Sequence, residues 1–154
     1  MAGNSWQQPV AGEPSCGTLH PRGTDPIAWD VNGIASTYSL AAPYTWDLSS
    51  LIPPGAKSAN INLTIYYLTT AAKSAGVLFC WQYELGANPS VFAIYGSKGL
   101  CVRVSKIPAL DVAIDEVSSS NDGTVLLGPS RKLYLAFEVN TGHSGYAMYK
   151  YYSI

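Results

Sequence analysis

Ser58–Thr70 reads SANINLTIYYLTT, and its reading decides the fold. Ile61, Leu63, Ile65 and Tyr67 fall on one side of the alternation, and Asn60, Asn62, Thr64 and Tyr66 on the other. A period of two over this length is the signature of a strand with one buried face. The same period recurs along the chain. Ala75–Glu84 places Val77, Phe79, Trp81 and Tyr83 together, and Gly99–Lys106 sets Leu100, Val102 and Val104 against Cys101, Arg103 and Ser105. Lys132–Asn140 sets Leu133, Leu135, Phe137 and Val139 against Tyr134, Ala136 and Glu138. Ser144–Ile154 sets Tyr146, Met148, Lys150 and Tyr152 against Ala147, Tyr149 and Tyr151, with the first set predicted to face the core. Val91–Tyr95 is a short apolar run, and weaker strands are predicted at Ser36–Ala41, Tyr44–Leu48, Leu110–Ile114 and Thr124–Leu127.

Turn signals separate these runs: Ile52-Pro-Pro-Gly-Ala, Gly86-Ala-Asn-Pro, Asn121-Asp-Gly and Thr141-Gly-His-Ser-Gly. Each supplies residues suited to a positive or fixed φ. No long segment shows a helical period. The prediction is an all-β fold, a jelly-roll-like β-sandwich of eight to ten antiparallel strands.

Residues 1–26 lie outside this pattern. They carry Pro9, Pro14, Pro21 and Pro26 with Gly3, Gly12, Gly17 and Gly23, a composition that opposes regular pairing. An extended N-terminal arm is predicted there, followed by a sandwich domain over residues 27–154. Trp6 and Val10 are its candidate anchors, held by a neighbouring chain.

Charge separates the function classes. Of 154 residues only 12% are Asp, Glu, Lys or Arg, with a net charge of −1, whereas about 25% is ordinary for a soluble domain. So few cations give no footprint for a nucleic acid backbone. An apolar share of 47% argues against disorder, and no run approaches the ~20 residues of a membrane-spanning helix. The N-terminus lacks the basic and apolar regions of a secretory leader, so folding in a reducing cytoplasm is expected. A surface this poor in charge is expected to be covered by a partner.

Little in the sequence points to catalysis. Cys16, Cys80 and Cys101 are an odd number without metal-binding spacing and read as buried thiols. The two histidines, His20 in the arm and His143 in a glycine-rich turn, make neither a zinc set nor a triad, and His143 reads as an exposed turn residue. No phosphate-cradling glycine loop with its lysine occurs. Asp111, Asp115, Glu116 and Asp122 fall in a loop-rich region, where they read as solvated acids; a weak calcium site is the alternative. Asn62-Leu-Thr64 matches the glycosylation pattern but reads as an accident of strand composition. A non-enzymatic protein without cofactor is expected.

Aromatic residues are more informative, with eleven tyrosines and four tryptophans. Tyr66, Tyr149 and Tyr151 are assigned to the face opposite the core, as candidates for subunit contact. Trp81, Tyr149 and Tyr151 form the alternative, a platform for sugar rings. The contact reading is preferred because charge depletion extends over the whole chain.

The stretch Thr45–Ile65, TWDLSSLIPPGAKSANINLTI, resembles the D-L-S-x-L-I-P-x-G-A-x-x-A lead-in to a long strand in small jelly-roll modules of tailed-bacteriophage virion proteins. Arg131–Tyr152 is similar to their closing hairpin. In this stretch Asp47 and Ser49 are expected to close a turn, Leu48, Leu51 and Ile52 to plug one end of the sandwich, and Pro54-Gly55 to redirect the chain. Such modules serve in tail fibres and spikes, where they trimerise or bind sugars, and on capsids as decoration or cement proteins. The resemblance implies a virion protein assembled in the host cytoplasm, a homotrimer bound to the major capsid protein or another virion protein. The chain starts at Met1 with an arm and no shaft domain, which is expected of a free-standing capsid decoration protein. A receptor-binding or carbohydrate-binding tail component, with a surface glycan as partner, is the alternative. Neither nucleic acid nor membrane is an expected partner.

Overall fold

The structure, a computed structural model, describes residues 18–22, 29–69, 74–96, 98–106, 115–139 and 142–154. Among these residues nine strands form two antiparallel sheets. In chain order they are β1 (Leu19–Pro21), β2 (Val31–Ala35), β3 (Tyr44–Asp47), β4 (Ser58–Thr69), β5 (Ser74–Gln82), β6 (Gly99–Lys106), β7 (Asp115–Leu126), β8 (Lys132–Val139) and β9 (Ser144–Ser153). The larger sheet runs β1-β9-β4-β7, and β2 also pairs with β9. The smaller runs β3-β8-β5-β6. The sandwich expected from the period-two pattern is therefore the fold.

The alternation in β4 places Ile61, Leu63 and Ile65 inward, each fully buried. They meet Leu78 and Cys80 of β5, Val102 and Val104 of β6, and Leu133, Leu135 and Phe137 of β8 in one core. Burying each such aliphatic side chain contributes about 1.5–3 kcal/mol. The Asp47–Ile52 loop closes one end. The Ser49 N–H donates to Asp47 Oδ1 at 2.9 Å, and Leu48 and Ile52 are buried. Arg131, at φ 54°, donates through Nη1 to the carbonyls of Ser49 and Ile52 at 2.9 and 2.6 Å. Leu51 does not share the plug: it is 43% exposed.

The structure corrects several sequence expectations. Ser36–Ala41 is turn and bend, and the strand precedes it as β2. Asn121-Asp122-Gly123 is not a turn, since β7 runs through it and pairs with β4 over twelve consecutive positions. Val91–Ile94 is one turn of α-helix, α1, whose Ser90 hydroxyl accepts the Ala93 N–H at 3.3 Å. Leu19–Pro21, the end of the expected arm, adds to the sheet as β1. Leu110–Ile114, Cys16 and residues 1–17 lie outside the described residues.

Two strands present their faces differently from expectation. In β5, Val77, Phe79 and Trp81 point away from the main core. They join Ile94 and Ala136 in a second cluster beneath α1, so the smaller sheet is buried on both faces. In β9 the inward residues are Gly145, Ala147 and Tyr149, not Tyr146 and Met148. A Cβ on Gly145 would stand 2.7 Å from Phe137 Cζ and 3.1 Å from Ile34 Cγ1. Side chains from the neighbouring elements already fill the space, so the inward positions are small. The parity changes again at Lys150, where the β9 register against β4 slips by one residue. Beyond this bulge Tyr152 packs on the core.

Candidate functional site

The register builds the outer face of the larger sheet in rows, because directly paired residues share a face. Leu126, Ser58, Ser153 and Leu19 form one row; Thr124, Asn60, Tyr151 and Pro21 form the next. Asp122, Asn62 and Met148 follow, then Ser120, Thr64, Tyr146 and Asn32, and finally Ser118, Tyr66 and Ser144. Hydroxyls, amides and aromatic rings dominate this face.

Its central charges are paired. Lys150 Nζ donates to Asp122 Oδ2 at 3.2 Å, and the Asn62 amide donates to Asp122 Oδ1 at 2.7 Å. These bonds, the Asn62 amide first, hold the Asp122 carboxyl below its ordinary value. Thr64 and Ser120 share a hydrogen bond of 2.6 Å, and the Thr64 hydroxyl lies 3.1 Å from Asn62 Oδ1.

Two features stand out at opposite ends of this face. At the last row, Trp29, Thr64, Tyr66, Ser118 and Tyr146 line a groove of about 270 Å³. The Trp29 and Tyr146 rings lie 5.5 Å apart at 51°, making an angled pair of aromatic walls. The Tyr146 ring crosses Gly33, whose would-be Cβ stands 3.6 Å from the hydroxyl. Gly33 has φ 77° at the β2 bulge, where a side chain would be strained. At the first row Leu19 is 62% exposed and Leu126 38%; Ile154, 42% exposed, pairs with Thr18 one position beyond that row. The Ser58 and Ser153 hydroxyls bond to each other between the two leucines, at 2.6 Å.

The smaller sheet carries a cleft of about 470 Å³ beside α1, with Val77, Phe79 and Val91 among its lining residues. Arg103 and Glu138 flank Val77 in the pairing register, and Arg103 donates to the Tyr95 hydroxyl. A third cleft, about 430 Å³, lies by Pro54, Gln82 and Arg131. Among the described residues no three His, Cys, Asp or Glu side chains converge as a metal site would require. Asp115 and Asp122 stand seven positions apart along β7, about 23 Å of strand, and of Asp115 only this backbone place is described. Asp111 lies outside the described residues, and of Glu116 only its backbone place in β7 is described. His143 is not an exposed turn residue; it is buried and stacks on Tyr67, ring centroids 4.2 Å apart. His20 stacks on Tyr152 at 4.9 Å.

The sequence-predicted residues do not form one site. Tyr66 lines the groove, and Tyr151 is on the same face six positions along β4, about 20 Å away. Tyr149 is only 7% exposed, because it falls on the inward parity of β9, and its ring receives the Arg22 guanidinium at 4.6 Å. Burial raises its phenol above the ordinary value. Trp81 is fully buried beneath α1, and its indole N–H donates to the Gly86 carbonyl at 2.9 Å. Neither Tyr149 nor Trp81 offers a face to a sugar or a subunit. Trp6 and Val10 lie outside the described residues. Sequence reasoning missed Trp29 and Tyr146 as site residues; the signal was the small-residue inward parity of Gly145 and Ala147, which sends Tyr146 outward. Comparison of the chain with protein-family models and with curated proteins finds no match.

Proposed function

We propose that this chain is a non-enzymatic structural protein of a tailed-bacteriophage virion, a capsid decoration or cement protein that binds the shell and neighbouring subunits as a homotrimer. The observation that carries the reading is the uncharged row Leu19–Ser153–Ser58–Leu126, with an exposed leucine at each end. Leu19 lies next to Thr18, where the chain enters the sandwich, and Leu126 stands at the far edge of the sheet on β7. A row without formal charge and tipped by exposed leucines suits the centre of a protein contact. In this reading residues 1–17 supply a second, linked contact, and linked contacts multiply retention. The resemblance of Thr45–Ile65 to virion jelly-roll modules supports the phage context.

The test uses capsids prepared without the protein, the purified chain, sedimentation and electron microscopy. Wild-type chain is expected to co-sediment and to appear as three-chain knobs on the shell. Leu19→Glu with Leu126→Glu, and separately removal of residues 1–17, are expected to strip it off. Unchanged occupancy of both variants, or density only at the tail, overturns the reading.

A further inference from the structure

We infer that the groove formed by Trp29, Tyr146, Tyr66, Thr64 and Ser118 is a binding site for a neutral hexose unit of a surface glycan. This goes beyond shell attachment and does not depend on it, since the leucine-tipped row lies at the opposite end of the face.

The chemistry on each side matches. A pyranose ring has faces of C–H groups, which pack on aromatic planes, and a rim of hydroxyls, which exchange hydrogen bonds with neutral side chains. Trp29 and Tyr146, at 51° with centroids 5.5 Å apart, pack on each other, so together they make a bent aromatic platform on which a sugar ring can lie. Thr64, Ser118 and the Tyr146 hydroxyl supply neutral polar groups around them. The volume, about 270 Å³, suits one sugar unit at a time, and the open ends of a groove let a longer chain continue. The described charges flanking the groove are paired, Asp122 with Lys150 and Asp30, next to Trp29, with Arg22, so no lone cation among them awaits a carboxylated or phosphorylated sugar. Tyr146 is held in place by the strand and by its passage over Gly33, so less ordering entropy is lost on binding.

The experiment titrates the full chain with maltotetraose, cellotetraose, chitotetraose and mannotetraose, and with sialyllactose as the anionic control. Saturation-transfer NMR and calorimetry read binding. At least one neutral oligosaccharide is expected to bind, and Trp29→Ala and Tyr146→Ala each to weaken it by about tenfold or more. Tyr146→Phe keeps the plane and removes only the hydroxyl, so it is expected to weaken binding less than Tyr146→Ala. Tyr151→Ala, at the other end of the face, is expected to leave affinity unchanged. Circular dichroism confirms that each variant is folded, and Trp29→Ala decides the matter where Tyr146→Ala fails to fold. Absence of binding across the panel, preference for sialyllactose, or binding unaffected by Trp29→Ala overturns the inference.

Discussion

Arg22 and Asp30 clasp each other across the gap between β1 and β2, where neither strand covers the edge of β9. Asp30 also accepts the Tyr149 N–H at 3.0 Å, standing in for the missing ladder partner. The Arg22 N–H donates to the Lys150 carbonyl at 2.8 Å, and the guanidinium covers the Tyr149 ring. The bulged edge is thus satisfied by the Asp30 carboxylate and one main-chain bond from Arg22 instead of a continuous strand.

This arrangement predicts a graded response at position 30. Asp30→Asn keeps an acceptor for Tyr149 but removes the ion pair, and is expected to cost about 1 kcal/mol. Asp30→Ala removes both and is expected to cost about 2–3 kcal/mol. Urea unfolding and hydrogen exchange at the Tyr149 amide measure the series; equal costs for the two variants contradict the dual role.

The missing side chain at Gly145 predicts a second result. Gly145→Ala drives a methyl against Phe137 and Ile34, and overpacking of this kind costs about 1–3 kcal/mol. Adding Phe137→Leu is expected to recover part of that loss, a positive coupling that a double-mutant cycle detects. Strict additivity of the two substitutions refutes the steric account.

Acid is expected to weaken the fold through three carboxylates. Hydrogen bonds from the Ser49 hydroxyl and N–H hold Asp47 below its ordinary 3.8, and the Asn62 amide with Lys150 does so for Asp122. Burial pushes Glu84 up, but the Ser130 hydroxyl and N–H outweigh it and leave the group below its ordinary 4.5. A carboxyl depressed in the folded state stabilises it above the unfolded value, and that contribution is lost as pH falls through the folded value. The denaturation midpoint should therefore hold from neutral pH down to about pH 5 and decline below it. Asp122→Asn should shallow the decline.

Cysteine labelling should separate the two described thiols. Cys80 points into the main core, and burial pushes its thiol far up, whereas Cys101 is only half-buried on the opposite face of the smaller sheet. Brief treatment of the native chain with a thiol reagent, followed by peptide mass spectrometry, is expected to modify Cys101 and spare Cys80 until denaturant is added. Their opposite faces also predict no bridge between them. A Cys80–Cys101 disulfide in the purified protein disproves the face assignment.

Legibility in the sequence followed how sharply each strand separates its two faces. β4 alternates apolar and polar residues, and every assignment from Asn60 to Tyr66 matches the structure. β9 carries bulk on both sides of its alternation, so the small inward residues Gly145 and Ala147 were outvoted by tyrosines. β5 is apolar on both faces because α1 covers the outer one, and a four-residue helix leaves no period to read. β7 is rich in Ser, Asn and Asp, which mimic a loop, yet its pairing with β4 overrides that weak propensity. The groove was half legible: Tyr66 was identified, but Trp29 and Tyr146 meet only through the tertiary path of β2 beside β9.

The tandem placement of β1 and β2 along a single edge has a mechanical meaning. A pull at Thr18 acts first on a three-residue strand and the Arg22–Asp30 clasp, both peripheral to the core. Parting them would leave β2 through β9 paired. The edge of β9 therefore rests on short local bonds that can part first, while the eight strands from β2 to β9 keep the body of the sandwich intact.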